Sequence, residues 1–279
     1  MTTAAHDTRT TATTMTDRPS RRPGFRLLGL ARAELTLLLR NRMQLIVAIT
    51  MPVAIPFLLL PLVNRGVPAE TLAGAMGLMI VMALLFVVYY NLLSAYVARR
   101  QDLVLKRLRT GEASDATVLA STAVPALTIA ITMILLMGAF STPMLGLPLP
   151  THPLMIVLGV ALGAVVLVPL ALVTATMTRT VEAAQVTSLP LMAVLLIGSG
   201  AAVPLDLMPE WFGRLVQLIP SSAIVELTRT GWLGVDADGA ALTTAQAWGS
   251  AIAPTAVLLV WLVLGLVLVA RTFRWEPRG

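Results

Sequence analysis

Polar and apolar positions in this chain alternate on the scale of whole segments. After residue 42, long apolar runs are separated by short polar connections. Runs near 43–63, 71–97, 116–147, 153–177, 183–204 and 248–270 each exceed the ~20 residues with which a helix crosses ~30 Å of hydrocarbon. The third is long enough to require tilt or an extramembrane end. Pro52, Pro56 and Pro61 in the first run and Pro169 in the fourth remove helical hydrogen bonds, which predicts kinks or breaks there. The small-residue pairs Gly159/Gly163 and Gly74/Gly77 predict close helix contacts.

Residues 25–42 have a different pattern. Leu27, Leu28, Ala31, Leu35, Leu38 and Leu39 fall within about 120° of arc, and Arg26, Arg32, Thr36 and Arg40 lie on the other side. A basic amphipathic helix of this kind lies in the headgroup layer, with its arginines toward lipid phosphates. Residues 1–24 show no apolar period, and the first twenty hold eight threonines, so they read as a disordered cytoplasmic tail. Residues 271–279 form a short C-terminal tail. One long connection, 205–247, is too polar to span and too apolar to be fully solvated. In it, Trp211, Phe212, Leu215 and Ile219 make one apolar face, with Pro209 in the first helical turn. Pro220 is expected to stop this helix, and Ser221 or Ser222 to cap a second one through Glu226 and Arg229. Two short helices at the outer interface, or a re-entrant hairpin, follow. The predicted fold is thus an all-α membrane protein. It has six transmembrane helices within 43–270, an interfacial helix at 25–42, and two short outer-face helices before the last span.

Composition agrees. The 279 residues are 57% hydrophobic and 12% charged, half the charge of an ordinary soluble domain. Charge adds orientation. Seventeen of the 20 Lys and Arg residues fall on the side of the termini, against Arg65, Arg214 and Arg229 on the other. By the positive-inside rule, both termini are cytoplasmic and the chain is a multi-pass protein of the cell membrane. The net charge of +6 then reports topology, and no nucleic-acid partner is predicted. With no cysteine and only His6 and His152, no disulfide and no Cys/His metal cluster can form. No phosphate-binding glycine loop, nucleophile elbow or metalloprotease motif occurs, so no catalytic residue and no cofactor are predicted.

The charge is also concentrated. Residues 98–114 hold Arg99, Arg100, Lys106, Arg107 and Arg109, including the single lysine of the chain. The predicted spans contain no Asp, Glu, Lys or Arg, and Glu182 sits at the start of the fifth. Ion-coupled carriers usually place ionisable groups near the midplane, so energy for uphill transport would have to come from outside this chain. Backbone carbonyls can bind sodium without a carboxylate, which leaves a stand-alone secondary transporter or channel as the alternative. A membrane module with no transport role is a further one.

These features together resemble the permease subunits of type-2 ATP-binding cassette (ABC) exporters, of the drug-efflux-like branch. The resemblance runs from about Phe25 to the C-terminal region. It is most specific at Arg99-Arg100 and Leu105-Lys106-Arg107-Leu108-Arg109-Thr110, which look like the family's R-x-x-x-G-T-L-x-R-L-R-x-T-P segment. Gly200, Pro204, Met208-Pro209, Trp211 and Ile219-Pro220 are similar to its outer-face signature. Leu103 stands where many members have Gly, and Glu112 follows Gly111 where many have Pro. The resemblance implies that 98–114 is a coupling helix seated in a separately encoded ABC ATPase, and that two permease copies, expected to form a homodimer, work with two ATPases. Leu105 and Leu108 would fill a cleft, and Arg99, Arg100, Lys106, Arg107 and Arg109 would pair with its acidic rim; fixing topology and holding lipid phosphates is the plainer role for these charges. It also implies that span two faces the dimer axis. Tyr89, Tyr90, Asn91 and Ser94 are then candidate contacts for a small hydrophobic or amphipathic substrate, with helix packing or an aromatic belt as the plainer role. Met133 and Met137 offer a plastic apolar surface or ordinary core.

Overall fold

The computed structural model describes Phe57 and residues 60–101, 115–200, 209–236 and 239–272. The N-terminal tail, the predicted interfacial helix and most of the first predicted span lie outside the described residues. Every extended element among the described residues is a helix. α1 is Leu60–Asn64 and α2 is Ala69–Gln101. α3 (Asp115–Met144), α4 (Pro153–Met177) and α5 (Val181–Gly198) follow, and then the short α6 (Glu210–Gln217) and α7 (Pro220–Leu233). α8 (Thr244–Ser250) and α9 (Ile252–Thr272) form the last span. Five helices are long and apolar enough to cross a membrane, and they fall on predicted spans two to six.

Local chemistry explains the boundaries. Pro153 opens α4, where a missing N–H costs nothing. The Thr180 hydroxyl caps α5 by accepting from the Ala183 N–H. Thr243 and Gln246 cap α8 reciprocally. α7 ends at Gly234, whose φ of 67° suits a residue without a Cβ. Pro125, Pro143, Pro169 and Pro190 all lie inside continuous helices. Pro169 therefore does not break α4; α9 packs close to it there, and a Cβ on Gly265 would lie 3.0 Å from the Pro169 ring.

The centre of the bundle is α7, a helix too short to span. Its tip, Pro220 and Ser221, sits level with Val166 and Leu167, halfway along α4, and its other end reaches the start of α4. The re-entrant alternative is thus the observed one. α7 lies against α4 on glycine: Cβ atoms built on Gly163 and Gly159 would fall 2.5 Å from Ile224 Cδ1 and 3.0 Å from Leu227 Cβ. Without a hydrophobic force between helices in lipid, small residues that admit close backbone approach supply the packing. The predicted close helix contact of this glycine pair is thus made with the re-entrant helix. Gly77 of α2 does the same for Val225, whereas Gly74 meets nothing within 4 Å.

The capping expectation is corrected. Pro220 lies just past the end of α6, as expected, and also starts α7, with Ile219 at the cap position. Ser221 and Ser222 are inside the helix, and the Ser221 hydroxyl is buried without a protein hydrogen-bond partner. Proline suits the first turn of a helix, and here it wins over the serines. The turn between α6 and α7 lies at membrane depth, where an unsatisfied carbonyl is costly. It is supplied from α9: Trp261 Nε1 donates to Leu218 O at 2.7 Å.

Candidate functional site at the basic end of span two

Arg99, Arg100, Arg179 and Arg271 mark one end of the bundle, the basic end. Arg99 and Arg100 occupy the last turn of α2, where cations complement the helix dipole. Arg100 is only 5% exposed. Its guanidinium turns into the permease and donates to the carbonyl of Thr178, just past the end of α4. Gln101 Nε2 reaches the next carbonyl, Arg179 O, at 3.3 Å. The end of span two is thereby clasped to the turn joining α4 and α5, where carbonyls lack helical donors.

A line of hydroxyls extends this clasp into the bundle. Thr178 Oγ1 lies 2.8 Å from Thr187 Oγ1 of α5 and 2.9 Å from Thr174 O. One turn deeper in α4, Thr174 Oγ1 accepts from the Tyr89 hydroxyl of α2 at 3.1 Å. Spans two, four and five thus share one polar seam. Thr174 and Thr178 were not among the predicted site residues. Their i, i+4 spacing in an apolar run was the available signal, because it puts both on one helix face.

Of the predicted coupling residues, Arg99 is part-buried and Arg100 is buried, while Leu105, Lys106, Arg107, Leu108 and Arg109 lie outside the described residues. The four predicted substrate contacts are not brought to one face. Tyr89 is fully buried against α4. Asn91 is exposed, beyond Met82 and Phe86, and its Nδ2 donates to Val87 O at 3.2 Å. Tyr90 and Ser94 are part-buried.

Two residues apart, Tyr89 and Asn91 fall on opposite sides of an α-helix, and a π-helical stretch, Leu84–Tyr90, within α2 decides which of them turns inward. At the α-helical ~100° per residue, Tyr89 would lie within about 20° of Met82 and Asn91 on the far side. The wider π turns rotate Tyr89 inward and bring Asn91 out, and such segments are frequent at functional sites. The Asn91 amide also satisfies a carbonyl inside this irregular stretch.

The re-entrant helix brings two charges that a span-by-span count omits. Glu226, part-buried, interacts with Arg229 one turn on, and Arg229 Nη1 donates to Asp236 O at 2.7 Å. No group of three or more potential metal ligands occurs among the described residues.

A buried re-entrant helix, apolar spans and a basic end of span two describe a polytopic membrane protein. Residues 26–233 match the ABC-2 type transporter family, and the chain belongs to it. Among curated proteins, none matches the chain. The chain is therefore a multi-pass, non-catalytic permease of the ABC-2 type, from a family that works with an ABC ATPase.

Proposed function

We propose that this chain is the permease subunit of an exporter that moves a small hydrophobic or amphipathic molecule, drug-like or lipid-like, out of the cell. A separately encoded ATPase binds at 98–114, and two permease copies form the path between them. The subunit sits in the cell membrane with both termini in the cytoplasm. Leu105 and Leu108 dock, while Arg99, Lys106, Arg107 and Arg109 orient. Arg100 takes a different part: its hold on Thr178 O favours a role in passing motion from the loop to spans four and five. The outward face of α2, with Met82, Phe86 and Asn91, supports an apolar cargo that needs little more than one amide for orientation.

The observation that carries the reading is the clasp of Arg100 and Gln101 on the α4–α5 turn, directly before the basic loop. A push on the loop then meets three spans at once. The test is co-reconstitution of the chain with an ABC ATPase encoded beside it. Efflux of a hydrophobic dye should require ATP, and Leu105→Ala with Leu108→Ala should uncouple hydrolysis from efflux. Dye transport by the chain alone, without ATPase, would overturn the reading in favour of a stand-alone transporter or channel.

A further inference from the structure

At the end of the bundle away from Arg100, α2, α3, the start of α4 and Trp232 enclose an apolar cavity of about 430 Å³. Met76 and Ile80 line one wall, Ile134 and Met137 a second, and the Trp232 ring closes the inner side. A smaller hollow of about 70 Å³ shares Ile134 and Val157 with it and continues between α3 and α4 toward Ile131 and Ala161. The main cavity falls in the size range of small-molecule sites.

Its chemistry selects what can enter. Thr142 and Trp232 are the polar side chains of the lining, and both are already engaged. Thr142 Oγ1 donates to Gly138 O at 2.8 Å, and Trp232 Nε1 to Pro148 O at 3.0 Å. The side chains therefore leave no free donor, and the lone pairs of the Thr142 hydroxyl as their one acceptor, so polar ligands gain little there. The rim runs without interruption onto the outward face of α3 and α4, where Leu135, Leu154 and Val157 are more than half exposed. In a membrane-embedded chain that face is the lipid interface. Left empty, the walls would forgo dispersion contacts along their whole length.

We propose that this cavity seats an acyl chain of a bilayer phospholipid, entering between α3 and α4 from the leaflet opposite the basic loop. The headgroup stays outside, and the chain packs against Met76 and Ile80 of α2 and against Trp232 of the re-entrant helix. The site rests on membrane embedding alone and is independent of what the permease carries. It ties the seat of the re-entrant helix to the lipid around it.

The test uses Trp232 as the reporter. Full-length protein with the other four tryptophans changed to Phe is reconstituted in vesicles containing phosphatidylcholine brominated along its acyl chains. Quenching of Trp232 is expected, and Ala139→Phe with Val157→Phe, which fill the rim, should abolish it. A Trp261-only protein with the same two substitutions should remain quenched as before. Native mass spectrometry on the chain with all its tryptophans should show a retained phospholipid that the two substitutions remove, which decides the matter if the single-tryptophan protein fails to fold. Quenching of Trp232 that ignores the filled rim would overturn the proposal. So would an unquenched Trp232 together with no retained lipid, which would mean that protein covers the cavity.

Discussion

Two of the seams that hold α4 in this bundle are built differently. The seam with α7 is made of backbone and glycine. Thr151 N donates to Trp232 O at 3.1 Å and His152 N to Gly231 O at 2.8 Å, so main chain meets main chain. The seam with α2 and α5 at the basic end is made of side chains: Arg100, Gln101, Tyr89 and three threonines. Backbone contacts with no room for a Cβ permit one arrangement. Side-chain hydrogen bonds in membranes average only about 0.6 kcal/mol each, and the donors can change partner. The comparison assigns the rigid role to the re-entrant helix and the movable role to the basic end, where the partner ATPase is proposed to act.

The sharpest way to break the contrast is at Gly231. A Cβ there would fall 3.1 Å from His152 O and 3.2 Å from Ile156 N, neither of which can swing aside. Gly231→Val should destabilise the fold by about 3 kcal/mol in reversible unfolding in mixed micelles. A change below the error of that measurement would show that α7 is not rigidly seated. Arg100→Met should cost less, about 2 kcal/mol for a charged hydrogen bond, yet should impair coupling more than Gly163→Ala, whose new methyl meets the side chains of Ile224 and Leu84. ATPase assays of both variants, reconstituted with the partner, check that ordering.

Smaller effects sharpen the same contrast. Trp232→Phe removes one hydrogen bond to Pro148 O and should lower stability by about 1 kcal/mol. Tyr89→Phe removes the Thr174 contact and should cost about 0.6 kcal/mol. Because Tyr89 faces α4, this change should leave dye efflux selectivity unaltered, whereas Asn91→Leu, on the exposed face, should shift it. Equal effects of the two on a panel of dyes would contradict the assigned faces.

Much of the architecture was legible in the chain. The segment pattern placed spans two to six to within a few residues at most ends, because a helix in hydrocarbon must be about as long and as apolar as the bilayer requires. Span five is the exception: α5 stops at Gly198, where a Cβ would strike Ile219 of the re-entrant turn, six residues before the expected end. Span two runs past its expected end to Gln101, because Arg100 and Gln101 find acceptors in the α4–α5 turn. The candidate site was legible in part. The basic character of 98–114 was evident, but that Arg100 would turn inward was not, since a buried carbonyl partner 78 residues away leaves no local mark.

The sequence by itself determined the class: apolar runs of bilayer length, the one-sided distribution of arginines and the basic segment after span two need no tertiary partner to be read. Only the tertiary structure decided which faces meet. The π-helical stretch in α2 turned Tyr89 in and Asn91 out, because a local change of helical pitch rotates everything beyond it. α7 was taken into the core because Gly159, Gly163 and Gly77 on two other helices left space for it. Periodicity reports which face of a helix is apolar; in lipid, where nearly all of its surface is apolar, complementary shape and scattered hydrogen bonds choose the partner.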